Sequence, residues 1–118
     1  MRVKSELWVK AYIRQRQSQG AFAAVVARGH SDAGSILIKI CRLDGSAALY
    51  GPAPMSLDND KASDGERQFV RFHDADWIAE RAADDIVARQ RSYDEDIWVV
   101  EVEDRTGDNG LDGWLATL

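Results

Sequence analysis

The chain has one cysteine, Cys41, so it cannot close a disulfide within itself. A secreted scaffold stapled by cross-links is excluded, and a reducing cytoplasmic setting is expected. No stretch approaches the ~20 apolar residues of a membrane span, so no membrane contact is expected. The opening Met1-Arg2-Val3-Lys4-Ser5-Glu6 meets charge before any apolar core, which does not fit a signal peptide. Phosphate-cradling motifs are missing. Residues 29–34 are not G-x-G-x-x-G, and neither G-x-x-x-x-G-K-[ST] nor a G-x-S-x-G elbow occurs. No cofactor is therefore expected, and no residue pattern names a reaction.

What is present suits one domain over 1–118, since 118 residues fall in the usual single-domain range; in the tail over 104–118 the glycine- and aspartate-rich 104–113 are expected to be flexible, and the apolar end Trp114-Leu115-Ala116-Thr117-Leu118 to dock on its own domain or on a second copy. The formal charge of −5 is unevenly spread. Residues 1–43 hold eight bases and two acids; residues 44–118 hold seven bases and eighteen acids. The expectation is that the two halves face each other and neutralise, since a polyanion binder is usually basic throughout.

Ser5 reads as a helix N-cap with Glu6 in the first turn, where an acid complements the helix dipole. Leu7, Trp8, Ala11, Tyr12 and Gln15 fall on one helical face, broadened by Val9 and Ile13, and Gly20 ends a helix over about 5–19. Residues 21–28 are a short apolar run. Residues 35–43 alternate, with Ile36, Ile38 and Ile40 on one face and Leu37, Lys39 and Cys41 on the other. The turn residues between them predict a hairpin. Residues 47–50 form a third strand, stopped by Gly51-Pro52-Ala53-Pro54. Residues 52–66 read as a long irregular segment, and 68–73 as a fourth strand. Asp74 or Asp76 caps a second helix over about 75–91, and 97–103 is a fifth strand. The class is α+β: a largely antiparallel five-stranded sheet with two helices packed on it. Its order is helix-strand-strand-strand-strand-helix-strand. The four-strand meander needs only short turns, and the last strand is expected beside the first.

In this order, Arg2-Val3-Lys4-Ser5-Glu6-Leu7-Trp8-Val9, Gly20-Ala21-Phe22-Ala23, Asp32-Ala33-Gly34, Arg42-Leu43-Asp44-Gly45, Gly51-Pro52-Ala53-Pro54 and Trp98-Val99-Val100-Glu101-Val102-Glu103-Asp104-Arg105 form a recurring set. The set resembles a family of short alphaproteobacterial proteins, domain of unknown function 1491. The resemblance spans residues 2 to about 105. It implies a bacterial cytosolic single-domain protein and carries over no catalytic residue.

One constellation has the residue types for chemistry. If Phe69, Arg71 and His73 alternate outward, His73 could join Glu101 and Glu103 of the last strand, with Lys39 and Cys41, in acid–base work. A metal needs three or four convergent ligands, and only His73, Glu101 and Glu103 offer themselves, so no metal is expected. The plainer reading is a solvated sheet face with cross-strand pairs. His30 lies in a turn near Asp32. Asp104, Asp108, Asn109 and Asp112 do not match the spacing of a calcium loop.

Lys10 and Arg14, with Arg16, form a basic helical stripe. The second helix opens on Asp74-Ala75-Asp76, which would repel phosphates, so nucleic acid is not an expected partner. Trp77 and Trp114 are hard to bury by pattern and are candidate interface anchors. The reading is a small binding module without catalysis of its own, its partner a protein or a second copy in a homodimer. The alternative is a small enzyme or nucleic-acid-associated protein using the charged sheet face or the basic first helix.

Overall fold

The computed structural model describes residues 3–54 and 67–116. The chain runs α1 (Ser5–Ser18), β1 (Phe22–Ala27), β2 (Ile36–Cys41), β3 (Ser46–Pro52), β4 (Phe69–Arg71), β5 (Ile78–Ala79), α2 (Glu80–Tyr93) and β6 (Trp98–Glu103). Most of the irregular segment expected over 52–66 lies outside the described residues. The class is α+β, two helices on a mostly antiparallel sheet. The sheet has six strands, because the two-residue β5 pairs with β3.

Burial decides the strand order, which is β1-β6-β2-β3-β4. All six residues of β2 are buried, and four of six in β6. A strand covered on both faces must be apolar on both, and these two take the centre. β6 therefore inserts between β1 and β2, antiparallel to the first and parallel to the second. The expected hairpin of the first two strands and the four-strand meander do not form. The expected neighbour of the last strand, β1, is the observed one.

The alternation along β2 divides the core as its sequence predicts. Ile36, Ile38 and Ile40 join Trp8, Val9 and Tyr12 of α1, with Val100 and Val102, in one cluster. Leu37 and Cys41 face the other way, where Ala83, Ile86 and Val87 of α2 pack. The sheet thus lies between the two helices.

Three helix details differ from expectation. Ser5 is the first helical residue and not the cap; its buried hydroxyl donates to Gly34 O at 2.6 Å. The inward face of α1 is Ser5, Trp8, Val9, Tyr12 and Arg16, while Leu7, Ala11 and Gln15 are exposed. Residues 7–13 are apolar on two stripes, so periodicity leaves the helix free to rotate. The Trp8 ring settles the rotation by packing on Tyr12 and Phe69 at 5.2 Å and edge-on to Trp114 at 5.4 Å. Last, α2 starts at Glu80, after Asp74 and Asp76. The Glu80 N–H donates to Gly45 O, so the turn between β2 and β3 serves the helix end. Gly20 ends α1 as expected, in the left-handed region at φ +91°, with its N–H donating to Gln17 O.

Candidate functional site

The charged constellation does not assemble as one site. Lys39 sits in the most buried strand, and its side chain is 5% exposed. Its ammonium reaches Asp84 at 2.7 Å, Glu80 at 3.1 Å and Glu101 at 3.4 Å. Burial is the largest influence on this group and favours loss of its proton. Hydrogen bonds to Asp84 and Glu80, with the charge of Glu101, more than offset it, and the Lys39 pKa lies well above the ordinary lysine value. The cation among these carboxylates is therefore a fixed one. Cys41, one pleat along, turns its Sγ toward Glu80 at 3.9 Å. Burial, then the nearby Glu101, Glu80 and Glu103 charges, pushes this thiol up to about 12 despite Lys39. A thiol so held is a poor nucleophile. Glu103 lies opposite Cys41 and Phe22 in the ladder and forms no ion pair among the described residues.

His73 is elsewhere. The register row Glu101–Lys39–Leu49 leads to it, so β2 and β3 stand between His73 and Glu101, a gap of at least about 10 Å at the usual strand spacing. Phe69 is buried against α1, so the β4 alternation does not turn these residues to one open face. Instead His73 fills the break between β4 and β5. Its Nε2 accepts the Leu49 N–H at 3.0 Å, and Nδ1 lies 2.7 Å from Ala75 O. A carbonyl only accepts, so Nδ1 carries the proton and the ring is fixed at both nitrogens. Arg71 spans the same turn, donating to His73 O, Asp74 O and the Asp76 carboxylate. A cleft of about 710 Å³ opens beside it, lined by Tyr50, Pro52, Phe69, Phe72 and Leu115 among others. Arg71 and His73 reach it already bound. Among the described residues no group of three or more His, Cys, Asp and Glu is placed to hold a metal.

The basic stripe of α1 is divided. Lys10 is exposed and 3.6 Å from Glu6. Arg14 is exposed. Arg16 turns inward, 3% exposed, with its guanidinium against the Gly110 backbone and 3.4 Å from Asp108. Tyr12 beside it donates to Asn109 O at 2.6 Å. Its hydroxyl pKa is raised, above all by burial. Lys39 and Arg16 thus meet acids of the C-terminal half, as the charge division suggests; Lys10 does not. Trp77 and Trp114 are both half-buried within their own domain. Arg42 lies over the Trp77 ring at 4.0 Å, and Trp114 joins the α1 cluster. His30 organises its turn by accepting the Asp32 and Ala33 N–H groups at Nδ1.

The surface that sequence reasoning missed is β1. It is an outermost strand of the sheet, paired among the described residues with β6 alone. Its six residues carry no charge, and Phe22, Val25 and Val26 are 60%, 37% and 61% exposed. The register slips between Val25 and Ala27, so Val26 sits at a bulge. Gln17 caps one edge carbonyl, Ala23 O, at 3.3 Å. The strand's two ends differ in charge. Phe22 pairs with Glu103 at one end. Beyond the other, Arg28 and Lys10 share the single Glu6 carboxylate, at 3.0 and 3.6 Å. Those two cations, Arg28 foremost, hold the Glu6 carboxyl below its usual range. The signal in the sequence was the run Phe22-Ala23-Ala24-Val25-Val26-Ala27 itself: apolar enough for a strand, too small for a centre.

These features define a small α+β domain with a helix on each face of one sheet and, among the described residues, one edge strand left uncovered. The chain belongs to the family described as protein of unknown function DUF1491, whose model matches residues 3–112. A crystal structure of a DUF1491 family protein from Caulobacter crescentus is 31% identical, with 99% of this chain and 100% of that one covered and a TM-score of 0.78. An NMR structure of a DUF1491 family protein from Caulobacter crescentus gives 34% identity, 99% of each chain and 0.78. The solution structure of protein Atu0922 from A. tumefaciens is 38% identical over 87% of this chain and 86% of that one, with a TM-score of 0.72. No curated protein matches the chain. No helix among the described residues is long and apolar enough to cross a membrane.

Proposed function

We propose that this protein is a binding module that docks another polypeptide along the open edge of β1 and has no chemistry of its own. The observation that carries the reading is the edge strand: uncharged, outermost, and exposing Phe22, Val25 and Val26. Edge strands of soluble proteins are usually guarded by charge, proline, a bulge or cover, because their free N–H and C=O groups pair readily with another chain; on β1 the guards are the bulge at Val26 and the Gln17 bond to Ala23 O, and they leave Phe22, Val25 and Val26 exposed. Strand addition uses those backbone groups for affinity and the alternate side chains for selectivity. The groups suited to acid–base work support the same reading by being engaged: both nitrogens of His73, and Lys39 among three carboxylates. The test places a photo-activated aromatic residue at position 22 in living cells, with position 93, the exposed end of α2, as control. A discrete adduct at 22, absent at 93 and lost on Val26→Lys, is expected. No adduct at 22, or one that Val26→Lys leaves intact, overturns the reading.

A further inference from the structure

The chain holds two asparagines, and Asn109 is the one followed by glycine. We propose that Asn109 is a self-modification site, at which the fold drives conversion of the carboxamide to an aspartyl or isoaspartyl residue. Three groups stand at the atoms that react. The Gly110 nitrogen is the nucleophile, and its N–H donates to Asp108 Oδ1 at 3.1 Å, so a carboxylate already holds the proton it must lose. The Arg16 guanidinium lies against the Gly110 backbone, a fixed cation beside the nitrogen as that proton leaves. Asn109 Oδ1 accepts the Leu111 N–H at 2.8 Å, which places a donor where negative charge develops on the carboxamide oxygen. The turn is pinned around these atoms: the Tyr12 hydroxyl donates to Asn109 O at 2.6 Å, and Asp108 lies 3.4 Å from Arg16. Gly110 has no Cβ to crowd the approach. The reaction needs no reagent besides water, which the half-exposed Asp108 side chain meets directly. Gly110 N bonds to Asn109 Cγ. Its proton passes through Asp108 to the carboxamide nitrogen, which departs as ammonia and leaves a five-membered imide. Water then opens one ring carbonyl and returns a proton to the Gly110 nitrogen. Opening at the side-chain carbonyl gives aspartate. Opening at the main-chain carbonyl gives isoaspartate and turns the oxygen that Tyr12 holds into part of a carboxylate outside the main chain.

Peptide mass mapping of the full chain, aged in neutral buffer, tests this at Asn109, with isoaspartate methyltransferase labelling to count the iso form. Rates are read for the folded chain and for the same chain unfolded in guanidinium chloride. The expected result is faster conversion in the folded chain. The unfolded one keeps the Asn109-Gly110 sequence but no longer holds Asp108, Arg16 and the Leu111 N–H in place. Asp108→Ser, whose hydroxyl can still accept the Gly110 N–H, is expected to slow the folded chain about tenfold, less than the full effect of a positioned base. The melting temperature of the variant is the folding control. Conversion that is absent, or no faster in the folded chain than in the unfolded one, overturns the inference, and this comparison needs no variant. A rate unmoved by Asp108→Ser in a chain that melts as the parent does overturns it as well.

Discussion

His73 shows how one side chain can complete a sheet. Between β4 and β5 the ladder opposite β3 is interrupted, yet the Leu49 N–H beneath the gap is not orphaned, because the imidazole Nε2 accepts it. A buried donor left without a partner costs roughly 1–3 kcal/mol. His73→Ala is therefore expected to lower unfolding stability by about that amount. His73→Gln, whose amide oxygen can reach the same N–H, is expected to cost less. Urea denaturation of the three proteins checks both statements, and equal losses would exclude the bond as the cause. Cys41 gives a prediction with a sign. Its thiol is pushed up to about 12, chiefly by burial, whereas a cysteine in the unfolded chain titrates near about 8.5. Between those values the unfolded state has released a proton that the folded state keeps, so stability falls as pH rises. The Tyr12 hydroxyl and the Lys39 ammonium, both also shifted upward, add further losses only above their unfolded values of about 10 and about 10.4. Melting temperature is thus expected to decline from about pH 8.5 upward, and Cys41→Ala to remove that first alkaline step. Unchanged slopes in the variant would refute the assignment.

The element that most depends on charge is α2. Its first turns are latched to β2 through Lys39, which meets Glu80 and Asp84, one helical turn apart. The two sides of the latch are unequal. Lys39 is buried, while the side chains of Glu80 and Asp84 are 44% and 59% exposed. Removing the lysine leaves carboxylates that water can solvate; removing the carboxylates leaves a buried cation short of partners. The second loss is the costlier one. The double variant Glu80→Gln with Asp84→Asn is therefore expected to destabilise the protein more than Lys39→Met, with the difference measurable by chemical denaturation. The reverse order would mean that the latch is solvated and weak. This latch also marks where the sequence could be read. The two-residue period along Ile36–Cys41 puts Lys39 and Cys41 on one face, as the structure has them. The partners of Lys39 on α2 were not visible, because a helix placed at about 75–91 by its aspartates in truth begins at Glu80. Pairing order escaped for a related reason. A short link between β1 and β2 favours a hairpin locally, but the demand for two doubly apolar centre strands is global and admits β6 instead. The β1 edge could be seen as a site only once that insertion had pushed it outward.

At the scale of the whole molecule, the C-terminal segment closes the α1 side of the core. Asp104, Asp108 and Asn109 each accept a backbone N–H two residues on, which folds 104–111 into successive tight turns. The Asp104 carboxyl is held below its usual range, first by the Thr106 hydroxyl. Gly110 takes φ +66° and has no Cβ, so the Arg16 guanidinium can lie flat on its backbone. Leu111 is then fully buried in the α1 cluster, and Trp114 packs on Trp8. Leu115 bridges Phe69, with the Phe69 N–H donating to Trp114 O and the Ala116 N–H to Phe69 O. The segment thus covers the outer side of β4 within one copy, and among the described residues β1 is the edge left uncovered. Truncation after Thr106 removes Leu111 and Trp114 and strips the cover from Arg16. Burial of a large apolar side chain is worth roughly 1.5–3 kcal/mol, so the expected loss is about 3 kcal/mol or more. That is a large share of the roughly 5–15 kcal/mol that holds a domain folded. Melting temperature and sedimentation measured together decide where the segment docks. A fall in melting temperature with association unchanged places the segment's contribution inside one copy. Loss of association in a chain that still melts cooperatively would place it between copies and contradict the contacts that Leu111, Trp114 and Leu115 make.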